Sequence, residues 1–306
     1  SFTEGSYEKA LIALFENLGY QHQYGPNIER DYYVPFYEEQ LIESLTTINY
    51  GKPRPAIDEA ISKLKDIEIG SLPQRNELFM DYLQHGIEVS FFDGKEQCND
   101  IIYLIDYNDK NIQRNDFKVI NQWTFVENSE KRADIILFVN GLPLVVIELK
   151  SPSREETNVS EAYLQLRNYM KEIPSLFVDI IKNFICFSKE ESGAAKILAA
   201  YHQYFAVKKA VERTKKATQG DGKIGVFWHT QGSGKSLSMV FYAHLLQDEL
   251  SQPTIVVITD RNDLDDQLYT QFSKCQQFLR QIPIQAKSRE DLKSLLAGRE
   301  ANGIIF

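Results

Sequence analysis

Two carboxylates and a lysine stand in the segment ADIILFVNGLPLVVIELK, residues 133–150, which otherwise has the composition of two buried strands. Asp134 lies near its start, and Glu148 and Lys150 lie at its end. Carboxylate oxygens are the ligands that Mg²⁺ prefers, and a nearby ammonium can stabilise charge on phosphorus or orient an attacking water. The alternative is an ion pair without function, which is costly to bury. These residue types predict metal-dependent hydrolysis of a phosphodiester.

The turn at residues 140–141 decides whether this cluster can form. Strand side chains alternate between faces, so Glu148 and Lys150 point the same way. A two-residue loop with strict pairing of residues 139 and 142 would put Asp134 on the other face. A three-residue or bulged loop would set Asp134 directly across from Glu148. We predict the longer or bulged loop, because the site requires it.

Three further side chains could join the cluster. Glu8 lies on the apolar face of a helix predicted over residues 6–18. It is either an additional metal-binding carboxylate or an acidic residue favoured by the helix dipole. Gln165 and Tyr169 are four residues apart on a helix predicted at about residues 158–172, so they share one face. We expect them to contact a DNA backbone or to brace the lysine.

A second motif, HTQGSGKS at residues 229–236, follows a strand predicted over residues 223–228 and precedes a predicted helix. This is the context of a Walker A loop, whose glycines let backbone N–H groups surround phosphates. His229 stands where the motif commonly has glycine. We expect Lys235 to reach the β- and γ-phosphates of ATP and Ser236 to bind Mg²⁺. The residues predicted to bind the nucleotide are Gln203, as the reader of adenine, and Thr230, Gln231, Gly232, Ser233, Gly234, Lys235 and Ser236.

The elements that must position these motifs fall into two predicted domains. The chain has 306 residues, of which 43% are hydrophobic and 25% charged, as in ordinary globular proteins. The polar segment 188–196, SKEESGAAK, is predicted to be the linker. The predicted class is α/β: a mixed sheet flanked by helices over residues 1–188, and a partial lobe with a parallel sheet over residues 189–306.

Composition excludes several classes. The three cysteines lie far apart without CxxC spacing, so neither a disulfide framework nor a zinc site is expected. No window approaches the roughly 18 apolar residues of a membrane helix, and no signal peptide opens the sequence. We therefore expect a cytoplasmic protein without membrane contact. The net charge of −9 argues weakly against nucleic acid, although one groove can still carry positive potential.

Six segments together resemble the restriction subunit of type I restriction–modification enzymes. In chain order they are NDFKVINQWTF, RADIILFVNGLPLVVIELKSP, QLRNY, YHQYFAVKKAVERT, WHTQGSGKSLSMVFYA and VVITDRNDLDDQL. The resemblance implies a PD-(D/E)XK nuclease joined to a RecA-like motor lobe. It assigns nuclease roles to Asp134, Glu148 and Lys150, a supporting motif to Gln165 and Tyr169, and the ATP lysine to Lys235. Ala133 departs from the family, which usually has proline before the aspartate.

The resemblance also implies ATP and Mg²⁺ as cofactors. The implied partners are double-stranded DNA and the methyltransferase and specificity subunits of the same system, in a bacterial or archaeal cytoplasm. Because no Walker B acidic pair follows the loop, we expect this fragment to bind ATP without hydrolysing it. Two alternatives stay open: a type III or single-chain restriction enzyme, and a non-cleaving DNA-binding assembly module controlled by ATP.

Overall fold

The computed structural model describes residues 4–67, 69–126, 129–149, 173–191, 193–298 and 303–306. They divide into two compact units. The first unit comprises Ser1–Gly70 and Leu78–Asp179, and the second comprises Ser71–Glu77 and Ile180–Phe306. The second unit therefore includes residues 180–188, which were predicted to belong to the first domain.

The first unit is built on a four-stranded mixed sheet. In sheet order its strands are β1 (Gln21–Tyr24), β4 (Phe117–Val126), β5 (Glu130–Val139) and β6 (Leu142–Ile147). Strand β1 is parallel to β4, and the other neighbours are antiparallel. Strand β5 is buried on both faces over residues 135–139, because the sheet carries core on each side. The mixed sheet predicted for this region is confirmed.

Helix α1 packs against strands β1 and β4 of this sheet, and the apolar periodicity of its sequence predicts a helix with one buried face. Helix α1 (Glu4–Asn17) buries Ile12, Leu14 and Phe15, and the chain turns at Gly19, whose φ is 92°. Helices α2 (Glu38–Ile48), α3 (Arg54–Lys65) and α4 (Leu72–His85) follow. Strands β2 (Ile87–Phe92) and β3 (Gln97–Ile102) form a separate antiparallel hairpin.

The β5–β6 hairpin closes with a two-residue turn. Val139 pairs with Leu142, and Asn140 and Gly141 have φ values of 52° and 79°. Positive φ at both central residues is typical of the type I′ turn, whose twist suits a hairpin. The Asn140 side chain is fully buried and donates to the Leu104 carbonyl at 2.8 Å. The predicted three-residue loop is therefore wrong.

A β-bulge in strand β6 offsets the register that this turn would impose. Phe138 pairs with Pro143, but the next residue, Leu137, pairs with Val145. Leu144 is left as the extra residue of β6. One unpaired residue shifts all later pairs by one position, so the bulge produces the register that the longer loop was predicted to give.

The second unit contains the hairpin β7 (Ile185–Glu190)–β8 (Gly193–Leu198) and the parallel pair β9 (Thr254–Val256)–β10 (Gly303–Ile305). The hairpin occupies residues 188–196, so their prediction as a linker is wrong. Small polar residues suit a turn as well as a linker, and Gly193 has a φ of 119°. Among the described residues, the helices after α4 are α5 (Ile173–Asn183), α6 (Tyr201–Ala217), α7 (Lys235–Glu249), α8 (Asn262–Lys274), α9 (Gln276–Leu279) and α10 (Arg289–Leu296).

The strand predicted over residues 223–228 does not form. No strand in the described part of the chain pairs with these residues, and Val226 and Trp228 are 94% and 76% exposed. The parallel sheet predicted for this region is represented by β9 and β10. Among the residues with described structure, no helix is long and apolar enough to cross a membrane.

Candidate functional site

The bulge brings Asp134 and Glu148 to facing positions on neighbouring strands. Beyond it, Ile135 pairs with Ile147, so the next position in the same register sets Asp134 across from Glu148. The Asp134 side chain is half-buried, and one of its carboxylate oxygens accepts a hydrogen bond from the Leu149 amide at 2.7 Å. Glu148 is exposed. The arrangement that the site requires is present, although it arises from the strand and not from the turn.

The row of facing residues continues into β4. The pairs Asn121–Ile135 and Trp123–Ala133 bracket Gln122, which stands across from Asp134. Gln122 of β4 and Asp134 of β5 thus lie in one row with Glu148, the residue that directly follows β6. We call this set the carboxylate row.

Glu8 reaches strand β4 from helix α1. One of its carboxylate oxygens accepts from the Asn121 side-chain amide, and the other accepts from the Gln122 side-chain amide at 3.0 Å. Its expected position on the inner face of the helix is therefore confirmed. Neither amide was predicted as a site residue. A pair of polar side chains, Asn121-Gln122, in the middle of an apolar strand was the signal that could have found them.

Three candidate residues cannot be placed. The described residues do not include Lys150, Gln165 or Tyr169, nor any part of the helix predicted at about residues 158–172. Their assignment to the nuclease site stays a prediction.

The donor atoms of the carboxylate row fit Mg²⁺. Asp134 uses one oxygen on the Leu149 amide and keeps the other, and Glu148 offers an exposed carboxylate. Within the described ranges, no group of three or more His, Cys, Asp or Glu side chains is placed to hold a metal ion. Mg²⁺ is commonly held by one or two carboxylates, with waters and phosphate oxygens completing its shell. Asp134 and Glu148 suffice for that kind of site.

The phosphate loop has the backbone that its glycines predict. Gly232 and Gly234 have φ values of 79° and 78°, and Gly234 caps the N-terminus of α7. The Lys235 ammonium donates to the carbonyls of His229, at 2.8 Å, and Thr230, at 3.2 Å. Lys235 is exposed, so phosphate oxygens can replace these carbonyls as its partners.

Two side chains of helix α6 form hydrogen bonds with backbone carbonyls of the phosphate loop. Gln203 is 5% exposed, and its Nε2 donates to the Gly234 carbonyl at 3.0 Å, while its Oε1 accepts from the Ala200 amide at 2.8 Å. The neighbouring His202 bonds through Nε2 to the Ser233 carbonyl at 3.1 Å. The expected closeness of Gln203 to the nucleotide loop is confirmed, and its reading of adenine stays a prediction. His202 was missed, because a histidine at a helix start carries no motif of its own.

Comparison with known proteins gives two family matches. Residues 1–194 match the family described as type I restriction enzyme R protein N terminus, and residues 202–306 match the SWI2/SNF2 ATPase family. The type I restriction enzyme HindI endonuclease subunit of Haemophilus influenzae is 33% identical over 99% of this chain, which covers 36% of that relative. The type I restriction enzyme SauCOLORF180P endonuclease subunit of Staphylococcus aureus is 25% identical over 56% of the chain and 24% of the relative. The chain thus spans about a third of the length of the first of these relatives.

Proposed function

Because this chain belongs to the family of type I restriction enzyme R proteins, we propose that its first unit is an endonuclease and that its second unit binds ATP. The proposed reaction of the whole subunit is Mg²⁺-dependent cleavage of unmodified double-stranded DNA, coupled to ATP-driven translocation. The proposed partners are the methyltransferase and specificity subunits of the same system. A subunit that leaves sequence recognition to a partner needs only contacts to the DNA backbone, so a net charge of −9 does not oppose this role.

The observation that carries the nuclease proposal is the facing pair of Asp134 and Glu148. Their oxygens would bind the cation, and the hydrogen bond from the Leu149 amide fixes the orientation of the Asp134 carboxylate. Bound Mg²⁺ supplies a Lewis acid that lowers the pKa of an attacking water. In this proposal, Lys150 stabilises the charge that builds on the phosphate oxygens, and Gln165 and Tyr169 brace it. A PD-(D/E)XK fold is the architecture that we propose for the unit.

The ATP proposal rests on the geometry of the phosphate loop. The helix dipole of α7 and the backbone N–H groups of the loop at Gly232 and Gly234, whose positive φ glycine allows, favour phosphate there. Lys235 would exchange its carbonyl partners for the β- and γ-phosphates, and Ser236 would bind the Mg²⁺ that accompanies the nucleotide. Two polar atoms of the loop, Ser233 Oγ and His229 Nδ1, are buried without a hydrogen-bond partner among the described residues. A nucleotide could provide partners for groups in this position.

The nuclease proposal is tested by Glu148→Ala in the full-length subunit, assembled with its partners and given unmodified plasmid. We expect cleavage to fall by about 100-fold or more, because the cation loses one of two protein ligands. Glu130→Ala is the matched control, since Glu130 is an exposed glutamate on β5 outside the carboxylate row. Unchanged cleavage by Glu148→Ala would favour the alternative of a non-cleaving assembly module.

The ATP proposal is tested by Lys235→Ala in the same assembly. We expect the affinity for ATP to fall by about tenfold or more, and cleavage of circular DNA to stop with it. Lys209→Ala, an exposed lysine on α6, should change neither quantity. Wild-type cleavage by an enzyme that no longer binds ATP would disprove the coupling between the two units.

A further inference from the structure

Arg132 lies on the same face of strand β5 as Asp134. Side chains of a strand alternate between its two faces, and the flanking Ala133 and Ile135 are 2% and 0% exposed. Arg132 is exposed and Asp134 is half-buried. Two positions along a strand span about 7 Å. Arg132 therefore stands one step along β5 from the carboxylate row.

The guanidinium of Arg132 has no partner in the described part of the chain, since neither a hydrogen bond nor an ion pair reaches it. The other arginines described in the first unit bond to carboxylates or to backbone carbonyls; they are Arg30, Arg54 and Arg114. An unpaired guanidinium keeps all five of its N–H donors available to a ligand. This one stands on the face that carries the carboxylates.

Lys131, the neighbouring cation, is directed to the other face of the sheet. It pairs across the strands with Phe125, and its ammonium lies 6.0 Å from the centre of the Phe125 ring. Phe125 itself packs against the core cluster that contains Ala133. Lys131 and Arg132 thus have the same charge and adjacent places in the chain, but only Arg132 shares a face with Asp134.

Thr124 of strand β4 faces Arg132 across the two strands. Its neighbours Trp123 and Phe125 pack in the core on the other side of the sheet, so the Thr124 side chain points to the face of Arg132. The backbone of Thr124 is also held in place. The guanidinium of Arg30 lies 3.4 Å from the centre of the Trp123 ring and donates to the Thr124 carbonyl. The Thr124 hydroxyl is therefore presented from a fixed strand.

We propose that Arg132 and the Thr124 hydroxyl form a subsite for a DNA phosphate, the one next to the phosphate that is cleaved. This inference rests on the proposed nuclease function. A guanidinium can bind two phosphate oxygens through parallel N–H···O bonds, and a hydroxyl can donate one more bond. Such contacts position the DNA backbone without reading its sequence. They also place positive charge beside two carboxylates, which alone would repel the strand.

The test is Arg132→Gln in the full-length subunit with its partners, with cleavage of unmodified circular DNA as the measurement. We expect the cleavage rate to fall by about tenfold or more, because a charged hydrogen-bonding contact to the substrate is lost. The slope of log rate against log salt concentration should become smaller by about 1, the share of one phosphate contact. The Mg²⁺ concentration for half-maximal cleavage and the affinity for ATP should stay unchanged, since Arg132 contacts neither the cation nor the phosphate loop. Arg132→Lys should keep part of the rate, because it retains the charge without the planar fork.

Lys131→Gln is the matched control. It removes the same charge one residue away, on the other face, so it should cleave as wild type does. Thr124→Val removes the hydroxyl and keeps the branched shape that suits a strand, and cleavage should fall by about two- to tenfold. Melting temperatures close to that of wild type show that the variants fold.

Wild-type cleavage by Arg132→Gln would overturn the inference. Equal losses in Arg132→Gln and Lys131→Gln, or a raised Mg²⁺ requirement in Arg132→Gln, would also overturn it. Asp134→Asn separates such a failure from failure of the nuclease proposal. If Asp134→Asn abolishes cleavage while Arg132→Gln cleaves normally, only the phosphate subsite is wrong. If Asp134→Asn cleaves normally, the nuclease proposal itself fails, and the subsite fails with it.

Discussion

The two candidate sites are assembled in different ways. The phosphate loop is eight consecutive residues, 229–236, and its own glycines set its backbone. The carboxylate row takes one residue from β4, one from β5 and one from the position directly after β6. A contiguous loop needs little from the rest of the chain to take its shape. A row across strands needs every register between its members to be correct, and a single bulge at Leu144 decides one of them.

Moving the register should have the largest effect. An alanine inserted between Val145 and Val146 would set Asp134 across from Ile147 and turn Glu148 to the other face. Deleting the bulged Leu144 would leave the Ile135–Ile147 pairing in place. We expect cleavage by the assembled enzyme to fall by about 100-fold or more with the insertion and to stay within about tenfold of wild type with the deletion.

Melting curves are the control for this pair, because both variants must still fold. ATP affinity should be unchanged in both, since the phosphate loop lies in the other unit. Equal cleavage by the insertion and the deletion would show that the row does not depend on the register.

The same substitution, glycine to alanine, at Gly141 and at Gly232 compares the β5–β6 turn with the phosphate loop. Both have a φ of 79°, but a Cβ on Gly141 would lie 2.6 Å from the Tyr37 carbonyl and the Leu41 amide, whereas nothing lies within 4 Å of one on Gly232. We expect Gly141→Ala to lower the free energy of unfolding by about 3 kcal/mol, and Gly232→Ala by about 1 kcal/mol, the backbone strain alone. Denaturant unfolding measures both. Similar losses of unfolding free energy in the two variants would contradict the prediction that the surroundings of the turn constrain it more than those of the loop.

Acid should weaken the second unit through a buried histidine. His244 stacks on Phe278 with ring centroids 4.0 Å apart, and burial lowers its pKa from 6.5 to about 4. Below pH 6.5 the unfolded chain takes up a proton that folded His244 does not accept, so stability falls as the pH drops from 6.5 to about 4. The loss should be about 3 kcal/mol.

Urea unfolding of the second unit across this pH range measures the effect, and His244→Gln should remove it. The first unit is the internal comparison, since its transition should not respond to His244→Gln. A His244→Gln variant with the same pH dependence as wild type would exclude this histidine as the cause.

His202→Ala should have the smallest effect. It removes one hydrogen bond to the phosphate loop, from His202 Nε2 to the Ser233 carbonyl. We expect the affinity for ATP to fall by about two- to tenfold, and the affinity for adenosine to stay unchanged, because the contact is to the loop and not to the base. His202→Gln should restore part of the affinity. Equal losses for ATP and adenosine would contradict a role confined to phosphate binding.

The difference between local and distant determinants explains what could be predicted from the sequence. Helix α1, the phosphate loop and helix α7 follow from periodicity and glycine placement, and they were predicted correctly. The turn at Asn140-Gly141 was predicted wrongly, although Asn-Gly is the usual type I′ pair. The prediction assumed that the turn sets the register between the two carboxylates, whereas the bulge in β6 sets it. No feature of the sequence indicates the bulge at Leu144, because strand propensity does not show which residue of a strand is left unpaired.

Residues 223–228 show the same limit in the other unit. Their composition favours a strand, but a strand needs a hydrogen-bonded neighbour, and none pairs with them in the described part of the chain. Gln122 was overlooked for a related reason. Its φ is positive, its amide bonds to Glu8 and its backbone passes close to Gly25, and no local pattern encodes contacts with residues about 100 positions away along the chain.

The facing of Asp134 and Glu148 is the central claim, and crystals of the full-length subunit soaked in Mn²⁺ test it most directly. Mn²⁺ replaces Mg²⁺ at sites with oxygen ligands and is visible by anomalous scattering. We predict one peak between the Asp134 and Glu148 carboxylates, at bond lengths of about 2.0–2.2 Å, and its loss in Glu148→Ala crystals. Carboxylates on opposite faces of the hairpin, or a Mn²⁺ ion bound in the first unit away from both, would contradict the account.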